Sequence, residues 1–219
     1  MEGPFVRCLM VETGQEKTVL QLLRARKLGK GMCPQRTRIR KIRGIWRQDQ
    51  VRLIPGYVFV YSDTEIPIRF YYRMERLLKV LRYDREPEGY LQGADLELAL
   101  ALNSLDGRLG LLDAREEEDG FIRVTDPRLE ALGGEVLSVE RRKRLARVRI
   151  SLLGEPRILP MNYRLTGEDG QPLTPTEEIV IDMVEDETDE WLTAWTPDFS
   201  DELMEKIDME EPPEEGEER

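Results

Sequence analysis

The chain has no histidine, only two cysteines, and no apolar run approaching the length of a membrane span. Each absence removes a class of chemistry. Without histidine there is no Ser-His-Asp or Cys-His catalysis. Cys8 and Cys33 cannot supply a tetrahedral zinc site between them, and two cysteines make no disulfide framework. The G-x-x-x-x-G-K-[ST] phosphate loop and the G-x-G-x-x-G dinucleotide signature are also missing. There is no secretory signal and no apolar stretch near about 18 residues, so a cytoplasmic, soluble protein is expected, without membrane attachment. Carboxylates abound, but no acid pair stands out. A non-enzymatic protein with no metal and no cofactor is the expectation.

What is abundant is charge, distributed unevenly. The net charge of −11 hides the asymmetry. Residues 1–60 hold 13 Lys/Arg against 4 Asp/Glu, a net of +9, whereas residues 168–219 hold 2 against 21, a net of −19. Between them, residues 61–115 carry −2 and residues 116–167 carry +1. The first 167 residues form a basic body, and the acidic pI of about 4.8 belongs to the tail. Such a body predicts a nucleic-acid-facing surface.

Hydrophobic periodicity organises that body. "FVRCLMV" (5–11) is apolar on both faces apart from Arg7 and predicts a central strand. Thr13 with Glu16 three residues on has the capping-box pattern, ahead of a helix whose stripe is Val19, Leu22 and Leu23. A basic ribbon follows, turning near Gly44, and leads into "LIPGYVFV" (53–60). A short amphipathic stretch (66–77), a strand at "LLKVLRY" and a helix at 94–105 complete a β-α-β-β-α-β order with one further helix. That order predicts an α+β, ferredoxin-like domain over residues 1–112, an antiparallel sheet with helices packed on it. "DAREEEDG" (113–120) has the composition of a linker. Five short strand patterns over 121–167 predict a small all-β barrel. Residues 168–219 are an acidic tail whose composition favours disorder or conditional order.

Two clusters in the body suit nucleic acid. Arg36, Arg38, Arg40, Lys41 and Arg43 place five cations in eight residues without an acid, beyond what an edge strand needs to avoid aggregation. In the second domain, Ala146, Val148 and Ile150 point one way on their strand and leave Arg147 and Arg149 on the other. The preceding Arg141-Arg142-Lys143-Arg144 turn extends that face. A basic strip of this kind suits RNA phosphates and splayed bases, with Glu140 and Glu155 as candidate partners for some members. For the aromatics Tyr57 and Phe59, two positions apart on one strand face, two readings stand. They are either a second layer of core or an apolar surface kept for a partner.

The order of these segments resembles the NusG family of transcription elongation factors. The resemblance covers roughly residues 4–167 and rests on "PGYVFV" after a basic ribbon and "RRKRLARVRISLLGE" after "GGEV". It implies a NusG-like N-terminal domain followed by a KOW domain. "ERRKRLARVRISLLGEPRIL" is most similar to the LoaP-type antiterminators, whose basic KOW turn recognises an RNA hairpin and which promote read-through of terminators in long operons. The family's Gly-Pro-Phe or Gly-Pro-Leu loop is Asp126-Pro127-Arg128-Leu129 here. By resemblance, Pro55, Tyr57 and Phe59 seat the clamp coiled coil of RNA polymerase, while Arg69 and Arg73 lie toward polymerase and non-template DNA. The implied protein is a monomer whose partners are RNA polymerase and a nascent RNA hairpin. A ribosome-binding KOW protein and an acidic-tailed adaptor remain the competing readings.

The tail generates a prediction of its own. A tethered segment of −19 meets the basic body at an effective concentration on the order of mM, so two readings stand: a competitor of non-specific nucleic acid, or a solubilising, solvated extension. On the first, deleting all residues after Gly167 is expected to raise affinity for unrelated RNA, more strongly at low salt where screening is weak. Equal affinities with and without the tail in a low-salt titration would overturn it.

Overall fold

Nine consecutive residues, Leu53 to Tyr61, are all buried, so the strand that follows the Pro-Gly turn is covered on both faces. The computed structural model describes residues 4–43, 45–83, 87–152, 154–167, 171, 173 and 180–181. In chain order it begins β1 (Phe5–Val11), α1 (Glu16–Arg26), β2 (Lys30–Met32), β3 (Gln35–Ile42), β4 (Ile45–Arg52) and β5 (Tyr57–Ser62). A 3-10 turn (Ile68–Phe70), β6 (Leu77–Val80), α2 (Gly93–Ser104) and β7 (Arg108–Leu109) follow. Then come β8 (Leu112–Glu116), β9 (Ile122–Val124), α3 (Pro127–Ala131), β10 (Glu135–Glu140), β11 (Leu145–Leu152), β12 (Glu155–Leu165) and β13 (Val180–Ile181). Among the described residues no helix is long and apolar enough to cross a membrane.

These elements make a mixed α/β fold with few helices and three sheets. The first sheet has the order β2-β5-β1-β6 and is antiparallel throughout. Its valine face packs Leu9, Val11, Val58 and Val60 against Val19 and Leu23 of α1 and against Tyr71 and Met74. Gly31 lets α1 approach closely, since a Cβ there would lie 2.7 Å from Leu20 and Leu23. On the opposite face, Tyr61 donates its hydroxyl to the Ala99 carbonyl of α2 at 2.7 Å. The second sheet, β13-β4-β3-β7, contains the basic ribbon. The third, β10-β11-β12-β8-β9, is antiparallel except where β12 pairs parallel with β8. Its edge strands β9 and β10 approach each other beside Phe121, Val124, Val136 and Val139, which brings it near to a closed barrel.

Four local expectations change. Thr13 does not cap α1; Gln15 holds that position. Glu16 is instead buried, accepting the Gly56 N–H at 2.7 Å and pairing with Arg52 at 3.1 Å, so its carboxylate is spent on the Pro-Gly turn. Residues 113–116 of the expected linker lie in β8. The two strand patterns "PRILP" and "NYRL" join into the single strand β12, because Met161 between them and Asn162 after it keep pairing with β11. Asp126-Pro127-Arg128-Leu129 opens helix α3 rather than a loop. Most of the acidic tail lies outside the described residues. Of its two-residue strand β13, Val180 is paired with Arg47.

Asp126 is the cap that makes α3 possible. Its carboxylate accepts the backbone N–H groups of Arg128 and Asp113, each at 2.9 Å. Arg128 in turn donates to Asp126 and to the Leu111 carbonyl at 2.6 Å, tying α3 to the strand start. Burial works against the Asp126 carboxylate, but these hydrogen bonds outweigh it and hold its carboxyl below the ordinary 3.8. A depressed carboxyl stabilises the fold above its unfolded value, and that stability is lost as pH falls through the folded value. Asp126→Asn is therefore expected to cost about 1–2 kcal/mol at neutral pH. Its urea midpoint should also fall less than the parent's on acidification below about pH 4. Parallel acid profiles for the two proteins would overturn the assignment.

Candidate nucleic-acid interface

The ribbon's arginines divide by position. Hairpin pairing sets Arg38 opposite Asp49 and Lys41 opposite Trp46. Arg38 grips Asp49 with two hydrogen bonds, 2.9 and 2.6 Å, and Arg40 reaches the same carboxylate at 3.1 Å. Arg36 is only 2% exposed. Burial first, and neighbouring Arg38 second, push its guanidinium down to about 10 against the pull of Asp49. Arg36 is thus buried in the ribbon, and Arg38, half-buried, is engaged with Asp49 across the hairpin. Arg40, Lys41 and Arg43, toward the tip, are exposed.

The strip on β11 has the expected alternation. Ala146, Val148 and Ile150 are buried, while Arg147 and Arg149 are exposed. Arg141, Arg142 and Lys143 continue that exposed surface through the turn, and Arg144 is half-buried. Some of these cations are paired: Arg141 with Glu116 at 2.8 Å, Lys143 with Glu140 at 3.1 Å, and Arg149 with Glu135. Glu155 pairs with Arg157, outside the strip. Among the described residues, Arg142 and Arg147 have no carboxylate partner and are the strip's open charges. Exposed pairs of this kind are worth little, about 0–1 kcal/mol, so a phosphate can displace them.

The residues expected to meet polymerase do not share one surface. Pro55 is buried, Tyr57 is 6% exposed and Phe59 fully buried. Phe59 is paired with Cys8 and Met32 in neighbouring strands, and Arg157 of β12 donates to the Tyr57 hydroxyl at 3.4 Å. In this arrangement the aromatics are a second layer of core. Arg69 and Arg73 are exposed beside Phe70 and Tyr72, on the segment whose Tyr71 and Met74 pack onto the valine face. Cys8, behind the aromatics, is fully buried; burial first and Asp95 second push its thiol up, so it stays protonated.

Two residues of this region carry no charge signal in the sequence. Trp46 lies between the ribbon and the basic turn, with Arg144 5.1 Å and Lys41 5.9 Å from its ring centre. The Asn162 amide, buried at 3% exposure, donates to the Ile39 carbonyl at 3.2 Å and to that of Arg144 at 3.1 Å. Hairpin arithmetic about residues 43–44 does pair Trp46 with Lys41 and Asp49 with Arg38; nothing comparable points to Asn162.

Burial of the aromatic pair has a measurable consequence. Phe59→Ala is expected to destabilise the protein by about 3–5 kcal/mol, the cost of emptying a closed aromatic site. Tyr57→Phe, which keeps the ring and loses the hydroxyl's long bond from Arg157, should cost no more than about 1.5 kcal/mol. Urea unfolding measures both, and a Phe59→Ala midpoint equal to the parent's would return the ring to the surface.

Comparison with protein-family models finds no match, and comparison with curated proteins finds none either. Among solved structures, the chain is similar to one described as "Domain interaction in Thermotoga maritima NusG". The two share 14% sequence identity over 73% of this chain and 93% of that one, with a TM-score of 0.44.

Proposed function

We propose that this protein is a NusG-type transcription elongation factor of the specialised, LoaP-like kind. In this reading it binds RNA polymerase through its first 112 residues and a nascent RNA hairpin through residues 121–167, and promotes read-through of terminators. The observation that carries the reading is the basic face of β11. A strand buried on one side by Ala146, Val148 and Ile150 presents Arg147 and Arg149 on the other, and the Arg141–Arg144 turn prolongs it. Cations fixed on a strand hold their spacing without further ordering, so little conformational entropy is lost when phosphates engage them. The open charges Arg142 and Arg147 make the first contacts, and the exposed ion pairs beside them exchange a carboxylate for a phosphate.

Polymerase capture by the immobilised full chain tests the first half of the reading. Loss of capture with Arg69→Glu and Arg73→Glu assigns the contact to that face. Capture that rises when Arg157→Glu releases Tyr57 assigns it to the aromatic face. No capture by any of the three proteins sinks polymerase binding. For the second half, Arg142→Ala with Arg147→Ala is expected to weaken binding of an RNA stem-loop. The same pair should lower the slope of log K against log salt by about 0.7–0.9 for each phosphate lost. An unchanged slope would move the RNA site off β11.

A further inference from the structure

The tip of the β3–β4 ribbon and the turn before β11 are far apart in sequence and meet in space. Lys41 and Arg43 are exposed on the ribbon, Arg142 and Lys143 on the turn. Arg144 ends that turn in a left-handed conformation, φ 47°, with its guanidinium 5.1 Å from the centre of the Trp46 ring. The Lys41 ammonium lies 5.9 Å from the same ring. Beneath them the Asn162 amide donates to carbonyls on both sides of the junction, Ile39 in β3 and Lys143 and Arg144 in the turn, at 3.1–3.3 Å. Ring and amide together pin the turn to the ribbon.

The chemistry of the junction is one-sided. Among the described residues, Lys41, Arg43, Arg142 and Arg144 have no carboxylate partner, and Lys143 has only the exposed Glu140. A cation–π contact holds a guanidinium without a carboxylate, whereas an ion pair would neutralise it. Arg144 is thus positioned without being neutralised. Cations spaced by two anchored segments suit the regular charges of a phosphodiester backbone better than the irregular charges of an acidic peptide.

We propose that the ribbon tip and the basic turn form one phosphate-binding surface that takes an RNA stem-loop across both sheets, with Trp46 and Asn162 as positioning residues. The inference rests on the RNA-binding reading above and extends its site beyond β11. It also gives the exposed tip of the ribbon a role separate from Arg36, which is buried, and Arg38, which is engaged with Asp49.

The test uses the full chain carrying Trp191→Phe and Trp195→Phe, which leaves Trp46 as the only indole. A short GC-rich RNA stem-loop is titrated in, and a change in Trp46 emission is expected on binding. Lys41→Ala with Arg43→Ala should weaken binding roughly tenfold and lower the salt slope by about 0.7–0.9 per phosphate, for two phosphates. Read by the anisotropy of a dye-labelled stem-loop, because these variants carry no indole, Trp46→Ala should lower affinity and slope together, and Trp46→Phe should restore most of both because a ring remains for Arg144. A merely structural ring would move the urea midpoint and leave the slope alone. If the Lys41/Arg43 variant keeps its slope while Arg142→Ala with Arg147→Ala loses binding, the joint surface is overturned and RNA binding on β11 stands. If neither pair affects RNA affinity, the underlying reading falls as well. A poly-glutamate peptide bound as tightly as the RNA, with the same sensitivity to these variants, would overturn RNA as the partner.

Discussion

The double burial of β5 is the constraint on which the rest of the structure depends. A strand closed on both faces needs a layer on each side. The chain supplies α1 with the Tyr71–Met74 segment on one face and α2 on the other. The entry to β5 is equally constrained, because the Pro-Gly turn exposes a backbone N–H in the interior. Glu16 satisfies that N–H and is itself balanced by Arg52. A buried carboxylate without either partner would be among the costliest groups in the molecule, so α1, the end of β4 and the start of β5 are fixed together.

Arginine plays two opposite parts in this protein, and burial separates them. Arg7 is 2% exposed, sits 3.8 Å from the Tyr90 ring centre and donates to the Glu88 carbonyl at 2.7 Å; it is an element of the core. Arg38 and Arg40 converge on Asp49, which turns part of a basic ribbon into internal cross-strand bonding. At the ribbon tip and in the strip on β11, Lys41, Arg43, Arg142 and Arg147 face outward with no carboxylate partner among the described residues. A local count of positive residues overstates the usable surface for this reason.

The long strand β12 connects these parts. At its start Arg157 meets Tyr57, in its second half Asn162 meets the ribbon and the basic turn, and its end pairs with β8. A single continuous strand of this length transmits position between the first and third sheets without a hinge of its own. The placement of the basic turn against Trp46 is therefore set by pairing along β12 as much as by the ring contact.

Periodicity along the sequence determined β1, the ribbon, β5, the two main helices, the buried face of β11 and the exposed face that carries Arg147 and Arg149. These follow from alternation, which is local: neighbours at i and i+2 share a face whatever the strand packs against. Three things were decided only by the tertiary structure. Tyr57 and Phe59 are buried on the strand face where Arg157 meets Tyr57 and α2 meets Tyr61, and strand period cannot tell a buried second layer from a surface left open. Glu16 left its capping role for Gly56, forty residues away, because a buried N–H outbids one that water can reach at a helix end. The meeting of ribbon and turn around Trp46 and Asn162 required segments distant in sequence to be folded together, and no local pattern encodes that distance.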